Sequence, residues 1–545
     1  MDLSAATKGS VRKFNVDGLV AWLSRGAAWL AAVVVVYPLF YHVVRGTDGY
    51  LTLLTDDFYY YLVIAQNLAH HGVSTFDGMH PTNGYHPLYM GVLTGLTWVF
   101  GGPTRPFYFA LGVLFVACAG VTFELLKKTG ERLFPCSRLA GPVAAILALQ
   151  AARMSLWGLE VAIAIPLHAA VLLLIARSPR LTASRAALLG FASAALGLAR
   201  LDTLTFVALV AVAWLGLSNA RIRDKVRGTL AFSAGALPLP LYLLSNVLLF
   251  GGMLSTSAAS KQLSRGLRFN TNLLDDMLGD PIGAAALVLL PVGLVVWGLD
   301  LYRGRQASGT WLLNADRART MVIGLSFAFP IVFYGTYGLR SDWRLFAWYF
   351  YPVLPGLLCA VLLSEQAVTR WVDARWRLAL PVAASMVCVA VPSIAAAPAA
   401  RRTTDWRPDS IALYSHARSL AKFGLSHPGV YAMGDRAGLT AYLLGQPVIQ
   451  LEGLVADRRM VDLLEAQAPL GQVLREYKVD YLIVSVYQPL PKRDGCAVVV
   501  QPHPRQAGTH SSHMEGTFCG EPVFFAASPA GSLPGLVYTY VFDVR

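Results

Sequence analysis

Charge is scarce in this chain. Asp, Glu, Lys and Arg make up 14% of its 545 residues and hydrophobic residues 55%, whereas a soluble domain carries roughly a quarter charged residues. Many segments therefore lack a water-facing side, which places the chain among polytopic membrane proteins. Cysteine is sparse too: six are scattered and no CxxC pair occurs, which removes a zinc ribbon. Walker A, GxSxG, HExxH and Rossmann glycine motifs are absent, leaving no support for ATP-driven transport or for familiar soluble-enzyme chemistry. There is no solenoid repeat and no low-complexity tract.

The formal charge is +13. In a soluble protein that excess would point to nucleic acid. Here the basic residues sit in short loops between apolar runs, the pattern of the positive-inside rule, and no nucleic-acid partner is expected. Lys8, Arg12, Lys13 and Arg25 precede the first apolar run, 27–44. That run is too long and too late for a cleaved signal and reads as a first span with its N-terminus inside. Further apolar runs lie near 86–101, 106–126, 139–155, 161–176, 184–199, 203–218, 228–250, 282–300, 321–337, 346–364 and 378–397. Basic loops fix their sides, provided that the short run 86–101 is re-entrant or shallow. The expected fold is mostly α, a polytopic membrane protein with about eleven to thirteen transmembrane helices and a bilayer as constant partner.

Composition changes near residue 401. Segments 429–433, 447–451, 481–486 and 498–501 read as strands and 459–478 as helix. The expected division is a membrane domain, 1–400, with a first outer loop at 46–85, and an extracytoplasmic α/β domain, 401–545. Outside the cytoplasm Cys496 and Cys519 can pair; two unpaired thiols are the equal alternative.

With this topology the unusual polar residues near the apolar runs gather on one side. Asp56 and Asp57 open an aromatic helix directly after the first span. Neighbours on a helix diverge by about 100°, so one carboxylate can cap the helix while the other faces a cavity as a general base. A turn rich in Gly, Pro and Asn follows and ends in Tyr85-His86-Pro87, where His86 can orient a phosphate or a sugar hydroxyl. Glu160, at the outer end of another run, needs a partner, and Arg200 and Asp202 at the next outer turn are the obvious ones; a purely structural ion pair is the plain alternative. Lys261 ends a small, hydroxyl-rich loop suited to a phosphate, and Arg340 or Arg344 can clamp a diphosphate or carboxylate. Snorkelling to head groups is the simpler reading of each cation alone.

Taken together, an Asp-Asp after the first span, the Gly-Tyr-His-Pro-Leu-Tyr entry into the next run, WGLE at 157–160, ARLDT at 199–203, the 246–261 run and WYFYP at 348–352 form an ordered set of islands. GDRAG at 434–438 and LEGLV at 451–455 extend it into the polar region. The set resembles the GT-C class of polyprenyl-phosphate-dependent glycosyltransferases, in its bacterial arabinofuranosyltransferase-like or aminoarabinose-transferase-like branch. The resemblance implies an active site on the non-cytoplasmic face, a polyprenyl-phosphate sugar donor and inverting transfer to a cell-envelope glycan, glycolipid or protein acceptor. It makes Asp56 or Asp57 the general base; the residues' own chemistry makes Tyr85, His86, Glu160, Arg200, Asp202, Lys261 and Arg344 the substrate-binding candidates. No metal ligand is assigned; members of the class differ in metal use, which leaves room for a divalent Mg or Mn ion and for no other cofactor. Residues 199–203 depart from the Arg-Pro-Glu/Asp-Gly expected in close relatives, so hexose and pentose both stay open. The alternatives from other classes are a non-enzymatic lipid or oligosaccharide transporter and an envelope-assembly protein.

Overall fold

The computed structural model describes residues 16–177, 182–217, 221–263, 269–308, 317–369, 408–529 and 536–545. The apolar run at 378–397 and the domain junction near 400 lie outside the described residues. Among the described residues five helices are long and apolar enough to cross a bilayer. They run within α1 (Val16–Arg45), α5 (Arg105–Leu133), α14 (Pro281–Ser308), α15 (Arg317–Arg340) and the stretch Ala347–Val368, which ends in α16 (Leu354–Val368). The run at 228–250 is not one straight span. It divides into α10 (Ile222–Ala236) and α11 (Pro238–Phe250), bent by 51°. Pro238 supplies no backbone N–H to the preceding turn, so the ladder breaks there.

Shorter apolar helices fill the remainder: α4 (Pro87–Phe100), α7 (Val161–Ala176), α8 (Ala183–Ala199) and α9 (Leu204–Leu217). At a rise of 1.5 Å per residue α4 is about 21 Å long, short of a hydrocarbon core of roughly 30 Å. The expected count of eleven to thirteen spans rests on these shorter helices and on the undescribed run. In the packing, α1, α5 and α6 (Ala140–Ser155) form one group, α7 joins through α5, and α15 sits against α9.

Between α1 and α4 come two elements outside the spans, α2 (Tyr50–Leu53) and α3 (Asp56–His71). Gly72 ends α3 in the left-handed region, its N–H donating to the Leu68 carbonyl. The turn that follows is held by its own polar atoms. Asp77 accepts from the backbone N–H groups of Met79 and His80, and Ser74 Oγ donates to the Thr82 carbonyl. Three further helices bear on the site: α12 (Thr256–Ser260), α13 (Asn272–Gly279) and, in the polar region, α17 (Pro408–Ser426).

The polar region is an α/β unit. β1 (Tyr431–Met433) pairs in parallel with β2 (Val448–Gln450) on one side and β3 (Tyr481–Val486) on the other. β7 (Phe524–Pro529) and β8 (Leu536–Asp543) complete the sheet, antiparallel, in the order β2-β1-β3-β8-β7. β4 (Lys492–Arg493), β5 (Cys496–Gln501) and β6 (Met514–Phe518) make a second, three-stranded sheet. All four expected strands are present. The expected helix at 459–478 is two, Arg458–Glu465 and Leu470–Glu476, parted by Gln467 in the left-handed region and by Pro469. α17 packs on α18 (Ala437–Leu444), and α18 packs directly on α3.

Cys496 and Cys519 form a disulfide across the smaller sheet, 23 residues apart. Replacing both with Ser is expected to lower unfolding free energy by about 3 kcal/mol through the freed chain entropy of the unfolded state. Denaturant unfolding of the double variant against wild type checks this.

Candidate active site

One cavity of about 280 Å³ lies where ends of the apolar helices meet the polar region. Asp57, Tyr85, His86, Glu160, Arg200, Asp202 and Lys261 all line it. These residues come from five separate stretches of chain, and a single chamber collects them.

The acidic pair is divided by the helix it opens. α3 begins at Asp56 itself, and the Thr55 side chain makes no capping bond. Asp57 faces the cavity. Asp56 points the other way, and its carboxylate accepts from the backbone N–H groups of Gly438 (3.0 Å) and Leu439 (2.8 Å), in the first turn of α18. It thus caps a helix of the polar domain, not its own. A β-carbon on Gly438 would lie 2.3 Å from the Asp56 carbonyl oxygen, so only glycine permits this approach.

Asp56 and Asp57 are both partly buried. For Asp57 that burial is the main cause of a pKa pushed up to about 6; Lys261 pulls it back, and Asp435 and Glu160 push it further. Burial likewise raises Asp56 to about 7, against the two backbone donors and with help from Asp57 and Asp435. Burial opposes the charge on Lys261, yet Tyr349 and Asp57 hold its pKa above the usual lysine value. Its Nζ donates to Tyr349 Oη at 3.0 Å.

Deeper in the chamber, Arg200 is the largest fully buried side chain, 2% exposed. Its guanidinium donates to Glu160 Oε1 at 2.8 Å and to Asp202 at 2.9 Å. Tyr349 and Tyr351 lie against it, 4.8 and 4.9 Å from ring centre to guanidinium carbon. Tyr61 Oη donates to Glu160 Oε2 (3.1 Å), and Tyr351 Oη donates to Asp202 Oδ1 (3.0 Å). The Leu201 N–H donates to His86 Nδ1, which leaves the ring proton on Nε2, 3.6 Å from Glu160 Oε1. Burial lowers the His86 pKa, with the Arg200 charge adding to it and Glu160 opposing. The Arg200 charge is therefore matched by two carboxylates, and Lys261 and Arg340 are the cations left facing the open space.

Arg344 does not reach the chamber. It pairs with Asp276 of α13, whose other oxygen accepts from the Leu345 N–H. Arg340, the last residue of α15, lines the wall instead. The aromatic lining from Tyr60, Tyr61, Trp348 and Tyr349 was not assigned from the sequence. The WYFYP island was the signal for half of it. Among the described residues no three His, Cys, Asp or Glu side chains are grouped to hold a metal ion.

Neither a family model nor a curated protein sequence matches the chain. Solved structures do. The apo oligosaccharyltransferase of Archaeoglobus fulgidus superposes with a TM-score of 0.52 at 9% identity, over 84% of this chain and 69% of that one. The same organism's AglB, in complex with an inhibitory peptide and a dolichol-phosphate, gives 0.50 at 10% identity, over 86% and 70%. The chain has the GT-C fold. ArnT from Cupriavidus metallidurans aligns over 80% of this chain and 90% of its own, at 15% identity and a TM-score of 0.47.

In this GT-C fold the buried ion triad has a clear energetic signature. Arg200→Met would leave Glu160 and Asp202 desolvated without their cation, at a cost of about 3–5 kcal/mol. Thermal unfolding of the detergent-solubilised variant is expected to show that loss, and an unchanged midpoint would contradict the ion-triad reading.

Proposed function

We propose that this protein is an integral membrane glycosyltransferase that moves one sugar from a polyprenyl-phosphate donor to an acceptor hydroxyl. The observation carrying the proposal is that Asp57 and Lys261, a base and a cation, face the same cavity at the ends of apolar helices. The donor phosphate sits between Lys261 and Arg340, where charge develops as the leaving group departs. A volume of about 280 Å³ is at the low end of small-molecule pockets and suits one sugar phosphate, not a chain of sugars. Leu204, Leu243, Met253, Leu254 and Phe333 give the cavity an apolar side that suits the prenyl tail. The AglB structure with bound dolichol-phosphate supports a lipid phosphate as ligand of this fold.

In the reaction the acceptor oxygen attacks the anomeric carbon while Asp57 takes its proton. The bond from that carbon to the phosphate oxygen breaks, and polyprenyl phosphate leaves as an anion. One displacement inverts the anomeric centre. Tyr85, His86 and the Glu160–Arg200–Asp202 set hold the sugar hydroxyls. Asp56 is a positioning residue: it fixes α3 against α18, and its neighbour then faces inward. The acceptor is a cell-envelope glycan, glycolipid or protein on the non-cytoplasmic side of the inner membrane. The disulfide supports an oxidising location for the polar domain, and the basic loops support a cytoplasmic N-terminus.

Asp57→Asn is expected to lower turnover roughly a hundredfold or more while donor binding persists. Asp56→Asn should mainly cost stability, on the order of 1–3 kcal/mol, because Asn offers one acceptor oxygen to two backbone donors. Release of prenyl phosphate from synthetic donors, read with a thermal melt of each variant, separates the two. A transporter or assembly protein would show no release by the wild type.

Wild-type turnover should also rise with pH through about 6 and level off above it, because protonated Asp57 cannot accept the acceptor's proton. A flat profile between pH 5 and 7.5 would remove Asp57 from the base role.

A further inference from the structure

The polar domain meets the cavity through the carboxyl ends of its parallel strands. The segment after β1 leads into α18 and Asp56. The segment after β2, residues 451–456, supplies Leu454 and Val455 to the cavity wall. In open α/β sheets this edge usually carries the domain's own ligand site. Here it is spent on contact with the membrane domain.

The 451–456 loop is fixed from within by one side chain. Gln450 is buried at the end of β2. Its Oε1 accepts from the backbone N–H groups of Glu452 (3.1 Å) and Leu454 (2.9 Å), and its Nε2 donates to Glu452 Oε2 (3.2 Å). From this folded loop three contacts reach the membrane domain. Ser260 Oγ donates to the Glu452 carbonyl, one residue before Lys261. Thr82 Oγ1 donates to the Ala456 carbonyl at 2.8 Å, in the turn that leads to Tyr85 and His86. At Gly84 a β-carbon would lie 1.9 Å from the Leu454 carbonyl oxygen. The two clamped segments are also joined directly, the Thr256 N–H donating to Asn83 Oδ1 at 3.0 Å.

We infer that Gln450 is a positioning residue for the donor site: by folding loop 451–456 it sets the places of Lys261 and of the Tyr85–His86 turn, so the polar domain is part of the donor-phosphate pocket. This rests on the glycosyltransferase reading of the cavity. It separates two roles for the domain. A module that only captures acceptor would leave donor binding untouched when its loop is loosened. A wall of the donor pocket would not.

The test is donor binding by the full-length protein in detergent, measured with a synthetic polyprenyl-phosphate monosaccharide and no acceptor present. Gln450→Ala is expected to weaken that binding roughly fivefold or more, the order of one lost buried hydrogen bond carried through to the ligand. Its KM for donor should rise more than its kcat falls. Ser260→Ala removes the clamp from the membrane side, leaves the polar domain's own bonds intact, and should shift donor binding in the same direction, which keeps the test valid if the Gln450 variant does not fold. Arg493→Ala, in an exposed pair with Glu515 on the smaller sheet, should change nothing. Unchanged donor affinity in Ser260→Ala and Gln450→Ala, with KM raised only for acceptor, would overturn the inference. Failure of the wild type to bind any donor would instead overturn the functional proposal beneath it.

Discussion

A carboxylate seated on the first turn of a helix joins the two halves of this protein. Asp56 belongs to the segment between α1 and α4, α18 to the polar region, and the bonds from Gly438 and Leu439 tie them. A helix N-terminus offers unsatisfied N–H groups and a partial positive charge, so an anion there is stabilised. Because successive side chains on α3 diverge, this anchoring decides where Asp57 points. The acidic pair is thus one device with two functions, one holding the interface and one facing the cavity.

Electrostatics around the cavity follow from low hydration. Charges there cannot rely on water, so each is answered by a neighbour or shifts its pKa. Arg200 is answered twice, by Glu160 and Asp202, and serves as a scaffold. Lys261 is only partly answered, through Tyr349 and the charge of Asp57, and remains turned to the open space. Asp57 forms no ion pair among the described residues, and burial outweighs the pull of Lys261 and raises its pKa to about 6. A fixed triad beside a carboxyl of raised pKa and a less constrained cation is the arrangement that the proposed transfer requires.

The polar domain extends the same economy of contacts. Its parallel edge gives one loop to Asp56 and another to Ser260, Thr82 and Gly84. Glu452, fully buried in the second loop, has one carboxyl oxygen bonded to Gln450 and the other without a hydrogen-bond partner. Burial and the nearby carboxylates, Asp435 and Asp57 foremost, raise its pKa well above the ordinary glutamate range.

The membrane character, the strands of the polar domain and the residues around the cavity were legible in the chain, because hydropathy, β-propensity and the collection of charge on one side are local or additive signals. The islands WGLE, ARLDT and WYFYP named part of the chamber wall, among it Glu160, Arg200, Asp202 and Tyr349. Other features depended on distance. No local pattern says that Asp56 caps α18, some 380 residues away, or that Arg344 turns to Asp276 and leaves the wall to Arg340. Nor does composition say that Gln450 folds the loop beside Lys261. These were decided by tertiary structure, since a buried polar atom takes whichever partner packing brings within about 3 Å, and sequence spacing does not measure that distance.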